Sequence, residues 1–283
     1  MTSTAADSSS AATGGGFCVH CVSGFRIPGE PRGKMETIHG INTYVATPSQ
    51  PSSDSASKAI IYFYDAFGLK LANNKIIPDQ LADATGLTVY VPDVFNGGGI
   101  DESSLAVAPS TAAHMKTASL FTKLRVGAAF ALATPFFVKN LPQSKIPTLK
   151  KWIDDLKQSN GYTRLGGTGY CYGGKLVIAL NATGHIDVSV ANHPSMITKG
   201  DIAAIKNPIL FNCAEEDPTF SENYAKEVEQ QWKQDTSKPA HQFEYYPNTV
   251  HGFAARPNLG DKQVKEAFEK AFNQTVAFWK AKL

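Results

Sequence analysis

Short apolar runs rich in β-branched and aromatic residues alternate along the chain with segments of helical length. The runs cover residues 59–65, 87–93, 187–194, 208–217 and 241–247. The helical segments cover residues 71–85, 101–141 in pieces, 145–159, 172–183, 220–234 and 261–280. This alternation predicts an α/β fold with a mainly parallel central sheet and helices on both of its faces.

Three further segments refine this prediction. Residues 41–48 alternate apolar and polar side chains, which is typical of an antiparallel edge strand. The segment 261–280 carries an apolar stripe at helical spacing, which predicts a helix packed on the sheet. The stretch 94–144 is longer than a normal connection between a strand and a helix. We expect part of it to form either a lid over an apolar pocket or an additional core helix.

The predicted elements all fall within residues 24–283, which is a suitable length for one large α/β domain. Residues 1–23 open with the polar run MTSTAADSSSAATGGG and are predicted to form a disordered tail. That run has neither the cationic start and apolar core of a secretory signal nor the arginines of a transit peptide. We therefore expect a single folded domain behind a short tail.

Charge and hydropathy indicate which partners to expect. The net charge of +2 comes from 27 basic and 25 acidic residues mixed along the chain, so no basic block is available to follow a phosphate backbone. The most apolar stretch, Val126–Val138, is shorter than a bilayer requires and contains Pro135. These patterns predict a protein that binds neither nucleic acid nor a membrane.

The four cysteines are too few and too irregularly spaced for a disulfide framework, which favours a reducing compartment. Cys18 and Cys21 form a C-x-x-C pair typical of a redox pair or half a zinc site, but no second ligand pair accompanies them, so no metal is predicted. Cys213 lies in an apolar run and is interpreted as a core residue. We expect a cytoplasmic protein, with the peroxisome as the alternative because Ala281-Lys282-Leu283 is a variant of the peroxisomal address.

The fourth cysteine, Cys171, lies in the motif GYCYGG at residues 169–174, between an extended run and a helical one. A nucleophile elbow has this form, with glycines two positions either side of the nucleophile because a side chain there would collide with backbone. The elbow also presents the nucleophile at a helix N-terminus, which favours a thiolate. A cysteine buried in a glycine-rich turn is the structural alternative.

An acid and a histidine follow the elbow in the chain order that this fold requires. Asp217 ends one predicted strand and His251 follows the next. Functional groups gather where parallel strands end. Glu215 and Glu216 are alternative acids.

These motifs together resemble the dienelactone hydrolase family of α/β-hydrolases, particularly its fungal members. GYCYGG, EEDP and VHGFAARP carry the resemblance, and GFRIPGEPRGK and YDAFGL extend it towards the N-terminus. The resemblance implies an α/β-hydrolase fold and a Cys171, His251 and Asp217 triad that cleaves a small ester or lactone through a cysteine acyl-enzyme. It implies no metal and no organic cofactor. The peptide N–H groups of Ala66 and Tyr172 are the expected oxyanion hole.

The same resemblance implies further residues at the site. Asp65 occupies the position of a family acid that hydrogen-bonds the resting thiol and helps to deprotonate it. Asn96 stands about where relatives that bind anionic dienelactones have one arginine, and Arg256 is a partial match to the second. We therefore expect an incomplete anion clamp.

Three other side chains are candidates for the pocket wall. Phe67 and Phe253 are candidates for an apolar pocket, although aromatic residues of this kind are mostly core residues. His193 ends a predicted strand near the expected site and is interpreted either as a pocket residue or as a structural histidine.

The sequence leaves three functions open. A carboxylic ester or lactone hydrolase, acting on a small molecule as a monomer or homodimer, is the main interpretation. An acyltransferase or thioesterase of secondary metabolism would use the same triad, and a non-catalytic binding protein would keep the fold and lose the chemistry.

Overall fold

The computed structural model describes residues 25–101 and 109–283. Its strands are β1 (Lys34–Ile38), β2 (Ile41–Ala46), β3 (Lys58–Phe63), β4 (Val89–Pro92), β5 (Arg164–Tyr170), β6 (Val188–Asn192), β7 (Ile209–Glu216) and β8 (His241–Val250). They form one sheet in the order β1-β2-β4-β3-β5-β6-β7-β8. β2 runs antiparallel to both β1 and β4, whereas all other neighbours are parallel. The mainly parallel sheet is confirmed.

The helices are α1 (Asn73–Thr85), α2 (Ala112–Thr117), α3 (Leu120–Lys139), α4 (Pro142–Asn160), α5 (Tyr172–Ala182), α6 (Lys199–Ala203), α7 (Glu222–Gln234) and α8 (Lys262–Lys282). Two neighbouring glycines of β5 show how helices cover the sheet. A Cβ atom on Gly166 would lie 3.2 Å from the indole nitrogen of Trp279 in α8, and one on Gly167 would lie 2.9 Å from a methyl carbon of Val177 in α5. Successive strand residues point to opposite faces. Helices therefore pack on both faces, as predicted.

The apolar stripe of the last helix packs as its spacing predicts. Val264, Val276 and Trp279 are buried, and Phe268 and Phe272 pack against the main core. The prediction for residues 41–48 needs one correction. β2 is antiparallel but lies between β1 and β4, so β1 is the edge strand. β1 escaped prediction because its KMETI sequence is largely exposed and lacks an apolar run.

The long excursion, residues 94–144, contributes α2 and α3, while its residues 102–108 lie outside the described chain. α4 is the helix predicted separately at residues 145–159, and it buries Leu149, Trp152, Ile153 and Leu156. α3 is mostly exposed and runs from Leu120 to Lys139 with Pro135 inside it. It is thus longer than the apolar stretch that the sequence indicated. Within the described residues it is the one helix whose length and composition would allow it to cross a membrane, so the length of the apolar stretch alone does not decide against a span.

The predicted disordered tail, with Cys18 and Cys21, lies outside the described residues. The structure therefore neither supports nor opposes the interpretation of residues 1–23. The described domain begins in the GFRIPGEPRGK segment, where the backbone N–H of Ile27 donates to Asn73 Oδ1 at 3.0 Å. This bond ties the start of the described chain to α1, close to the carboxyl ends of the central strands.

Candidate active site

Cys171 joins β5 to α5 in a backbone conformation that few residues adopt. Its φ of 52° and ψ of −111° lie outside the regions favoured by non-glycine residues. The flanking glycines allow this turn because a Cβ on Gly169 would lie 2.0 Å from the carbonyl oxygen of Gly173, and one on Gly173 would lie 2.0 Å from that of Phe63. The steric reason for the glycines, predicted from the motif, is confirmed. Cys171 is partly exposed at this point, as a nucleophile must be.

His251 and Asp217 meet at the ends of β8 and β7. The imidazole Nδ1 of His251 lies 2.8 Å from Asp217 Oδ2, and the Asp217 side chain is completely buried. The other carboxylate oxygen accepts bonds from the Thr219 hydroxyl at 2.7 Å and from the backbone N–H groups of Thr219 and Phe220. Burial alone would raise the pKa of Asp217, but the His251 charge and these hydrogen bonds lower it to about 2. The acid is therefore ionised throughout the physiological range.

Cys171 and His251 shift each other's pKa in opposite directions. Burial would raise the pKa of the Cys171 thiol, but the charge of nearby His251 lowers it below the ordinary value. Burial would lower the pKa of His251, but the charges of Asp217 and Cys171 raise it well above the ordinary value. Each charged form therefore stabilises the other, so the Cys171 thiolate and the His251 imidazolium favour each other's formation.

The two alternative acids do not face His251. Glu215 forms an ion pair with Lys116 and accepts the backbone N–H of Asn248 at 2.7 Å. Glu216 lies 3.5 Å from the same lysine. Both glutamates line an open surface cleft of about 470 Å³ beside β7 and β8, which Asp217 also lines. These contacts favour Asp217 as the acid.

Asp65 is engaged away from the sulfur. Its Oδ2 accepts from Arg256 Nε at 2.8 Å, and its Oδ1 accepts from the Asn74 side chain at 2.9 Å and from the Phe67 backbone at 3.2 Å. Its negative charge raises the pKa of Cys171, whereas the charge of Arg256 lowers it. The charges of Asp65 and Arg256 therefore act on the pKa of Cys171 in opposite directions.

Arg256, which pairs with Asp65, also contacts the ring of the pocket candidate Phe67. The guanidinium carbon lies 4.6 Å from the centre of the Phe67 ring, which is a cation–π distance. Gly252 makes room for it, since a Cβ there would lie 2.4 Å from Arg256 Nη2. Asn96 is exposed in the turn after β4 with a φ of 51°. The structure thus brings Asp65, Phe67 and Arg256 together, and no contact within the described residues links Asn96 to them.

The two expected oxyanion donors lie on neighbouring segments. The backbone N–H of Gly173 donates to the carbonyl of Tyr64 at 3.1 Å. This bond holds the start of α5 against the loop after β3, which carries Ala66. Within the described chain neither the Ala66 nor the Tyr172 N–H donates to a backbone acceptor outside the regular elements. Both groups are therefore available for a developing oxyanion.

His193 and Phe253 form an aromatic wall behind His251. The His193 ring centre lies 5.1 Å from that of His251 and 5.8 Å from that of Phe253. His193 is completely buried, and neither ring nitrogen finds a partner within the described residues. Burial and the His251 charge hold the pKa of His193 well below its ordinary value, so the ring is neutral.

Two residues at the site escaped the sequence analysis. The Ser195 Oγ lies 3.7 Å from Cys171 Sγ, and its backbone N–H donates to the Cys171 carbonyl at 3.0 Å. Thr219 bonds Asp217 and also lies 3.2 Å from His251 Nδ1. Ser195 lies just beyond the end of β6. A polar residue at the end of a predicted parallel strand could have indicated a site residue. Thr219 follows the acid by two residues, the spacing of an Asx-type turn.

We expect rapid alkylation of Cys171 by iodoacetamide at neutral pH. The rate should fall only when the pH drops below the lowered pKa of this thiol, because the thiolate is the reactive form. Cys213 should stay unlabelled, since it is buried and burial holds its pKa well above the ordinary value. Peptide mass spectrometry across a pH series measures both rates. A reactivity midpoint at the ordinary thiol pKa, unchanged in His251→Ala, would contradict the pairing.

Comparison with known proteins places the chain in a family. Residues 41–283 match the model of the dienelactone hydrolase family. Hydrolase pyvD of Aspergillus violaceofuscus is 29% identical over 259 residues, covering 92% of this chain and 94% of its own. Dienlactone hydrolase 1 of Gibberella moniliformis is 26% identical, covering 93% of this chain and 94% of its own.

Solved structures agree on the fold. The dienelactone hydrolase of Anabaena variabilis superposes with a TM-score of 0.53 at 11% identity, covering 90% of this chain and 100% of its own. A dienelactone hydrolase-like promiscuous phosphotriesterase from metagenomic libraries gives a TM-score of 0.54 at 18% identity, covering 88% of this chain and 99% of its own. The expected α/β-hydrolase fold and the hydrolase class are confirmed. The chain belongs to the dienelactone hydrolase family.

Proposed function

We propose that the protein hydrolyses a small carboxylic ester or lactone through a thioester intermediate on Cys171. The observation that supports this most is the buried Asp217–His251 bond of 2.8 Å beside a cysteine held in a strained elbow. A structural cysteine needs neither the strained backbone nor the acid-paired histidine. No cofactor takes part in the proposed reaction.

In the first half of the reaction, the Cys171 thiolate attacks the substrate carbonyl carbon and forms a C–S bond. The negative charge that develops on the carbonyl oxygen is stabilised by the N–H groups of Ala66 and Tyr172. When this intermediate collapses, the C–O bond to the leaving alkoxide or enolate breaks. The His251 imidazolium donates its proton to the leaving oxygen and becomes neutral.

In the second half, water attacks the thioester carbon while neutral His251 accepts a proton from it. The C–S bond then breaks, which releases the carboxylic acid and restores the thiolate beside the imidazolium. Asp217 keeps the imidazole oriented through Nδ1 and stabilises its positive charge in both halves. Thr219 holds Asp217 in place through the hydroxyl bond of 2.7 Å.

The contacts of Ser195 and Asp65 support different roles for these two residues. The Ser195 hydroxyl is close enough to the sulfur, at 3.7 Å, to hold it between turnovers. Asp65 is bound by Arg256 and Asn74, so we assign it to shaping the pocket through Arg256 rather than to deprotonating the thiol. His193 and Phe253 form the wall that supports His251.

We expect neutral lactones and aryl esters to be hydrolysed at least as efficiently as their carboxylate-bearing counterparts. Arg256 is already paired with Asp65, and Asn96 supplies no charge. A buried carboxylate without paired charge is costly. Comparison of kcat/KM for a dienelactone carboxylate and its methyl ester measures this preference.

Asn96→Arg should shift the preference towards the anion, mainly through a lower KM, and Arg125→Gln serves as a surface-charge control. A preference of the unmodified protein for the anion above about tenfold, equivalent to about 1.4 kcal/mol, would contradict this prediction.

A screen of lactones and aryl esters, with Cys171→Ser and Cys171→Ala as controls, tests the proposed function. Product analysis with and without an added alcohol or thiol separates hydrolysis from acyl transfer. Failure of every activated ester to acylate the protein would indicate the non-catalytic binding protein instead. Cytoplasmic location, with the peroxisome as alternative, and a monomeric or homodimeric state stay predictions.

A further inference from the structure

The side of α3 that points away from the domain is apolar, which is unusual for an exposed helix. Of the eight large apolar side chains that are exposed in the described chain, five lie on α3, at Leu120, Phe121, Leu124, Leu132 and Val138. Their exposed fractions run from 64% to 84%. We call this surface the outer face of α3.

The outer face is continuous along the helix. The exposed positions 120, 124, 128, 131, 135 and 138 follow one another at intervals of three or four residues, all of them Leu, Ala, Pro or Val. This spacing places them in one stripe of the helix surface. An exposed helix normally presents polar side chains to solvent. A continuous apolar stripe of this kind instead indicates a surface that binds a partner.

The opposite side of α3 attaches the helix to the domain. Phe136 contacts Phe95 at a ring distance of 4.9 Å, and Phe95 contacts Tyr172 at the same distance. After the helix, the Tyr172 hydroxyl donates to the Asn140 carbonyl at 2.8 Å. Before it, the Ala113 N–H donates to the Asn248 side chain at 3.3 Å. α3 is thus held along the surface of the domain, an orientation that suits lying on a membrane rather than crossing it.

The segment of chain that carries the outer face contains only positive charges, and two of them, Lys116 and Lys151, are paired with Glu215 and Asp155. The sequence from residue 103 to residue 153 contains seven lysines and arginines and no aspartate or glutamate. Three of these cations, Lys123, Arg125 and Lys139, are exposed on α3 itself. None of the three forms an ion pair with a carboxylate in the described chain.

We propose that the outer face of α3 binds an anionic membrane surface. Its leucine and phenylalanine side chains enter the boundary of the acyl chains, while Lys123, Arg125 and Lys139 meet the lipid phosphates. A second copy of the chain suits this face less well, because a twofold contact would place these cations against one another. The apolar stripe distinguishes the partner from nucleic acid. This inference revises the sequence-based expectation that no membrane partner exists, and it does not depend on the chemistry proposed for Cys171.

Co-sedimentation with vesicles tests the proposal. We expect the full-length protein to bind vesicles of phosphatidylcholine mixed with phosphatidylglycerol, to bind pure phosphatidylcholine far less, and to dissociate as salt is raised. The double variant Leu124→Glu, Leu132→Glu should lose binding to the anionic vesicles. The double variant Lys123→Gln, Arg125→Gln should bind them about 30-fold more weakly, from about 1 kcal/mol for each basic residue.

Matched substitutions away from α3 serve as controls. Met35→Glu changes another exposed apolar residue, on β1, and Lys262→Gln removes a cation from α8. Both should bind as the unmodified protein does, and thermal unfolding checks that every variant is folded. Equal binding to neutral and anionic vesicles, or no binding at low salt, would overturn the proposal. So would a dimer in sedimentation without lipid that Leu124→Glu, Leu132→Glu dissociates, since a second copy would then cover the outer face.

Discussion

Cys171→Ala is expected to lower kcat for an activated aryl ester by at least about 10⁴-fold. Without the sulfur no acyl-enzyme forms, and only the oxyanion donors and the pocket remain to accelerate attack by water. His251→Ala should cause a loss of similar size. The double variant should lose little more, because residues that act as one unit do not contribute additively.

The measurement is steady-state kinetics with thermal unfolding as a check on folding. Cys213→Ala is the matched control, because this second described cysteine is buried in β7 and should leave kcat nearly unchanged. If folded Cys171→Ala kept more than a small fraction of the activity, another residue would be the nucleophile.

Asp217→Asn is expected to reduce kcat by about 10³ to 10⁴-fold while the protein stays folded. An amide that donates towards His251 Nδ1 would favour the wrong tautomer of the imidazole, and the negative charge that stabilises the imidazolium would be lost. Glu216→Gln is the matched control, since Glu216 pairs with Lys116 on the surface and should leave kcat unchanged. Loss of activity in Glu216→Gln but not in Asp217→Asn would show that Glu216, and not Asp217, is the acid that pairs with His251.

Asp217→Asn should also shift the pH dependence of kcat/KM in a defined direction. The Asp217 charge raises the pKa of His251, and the His251 charge lowers the pKa of Cys171. Removing the carboxylate therefore lowers the pKa of His251 and raises that of Cys171. The acid limb of kcat/KM reports formation of the thiolate, so it should move to higher pH in Asp217→Asn. If the acid limb of the kcat/KM profile does not move in Asp217→Asn, then Asp217 does not act through His251.

Sequence reasoning could name Cys171, Asp217 and His251 as a candidate triad because the constraints on such a site are local. The elbow at Cys171 needs glycines on both sides, and the acid and base occupy strand ends whose order along the chain is fixed by the fold. A short motif and two strand boundaries were therefore enough. The alternation of apolar runs predicted the parallel sheet for the same reason, since buried parallel strands must be apolar on both faces.

The remaining features depend on contacts between distant residues. Asp65 and Arg256 are 191 positions apart, and no local pattern shows that the acid turns to the arginine rather than to the sulfur. Ser195 reaches Cys171 only because β6 lies beside β5 in the sheet. The exposure of α3 also escaped prediction, because the sequence pattern of an apolar stretch does not show whether its side chains face the core or the solvent.

The most direct test of the central claim is intact and peptide mass spectrometry of the protein mixed rapidly with an activated acyl ester. The account predicts a single added acyl group on Cys171 that disappears as product forms, and no such group in Cys171→Ala. An acyl group on any other residue, or full turnover by Cys171→Ala without an acyl-enzyme, would contradict it.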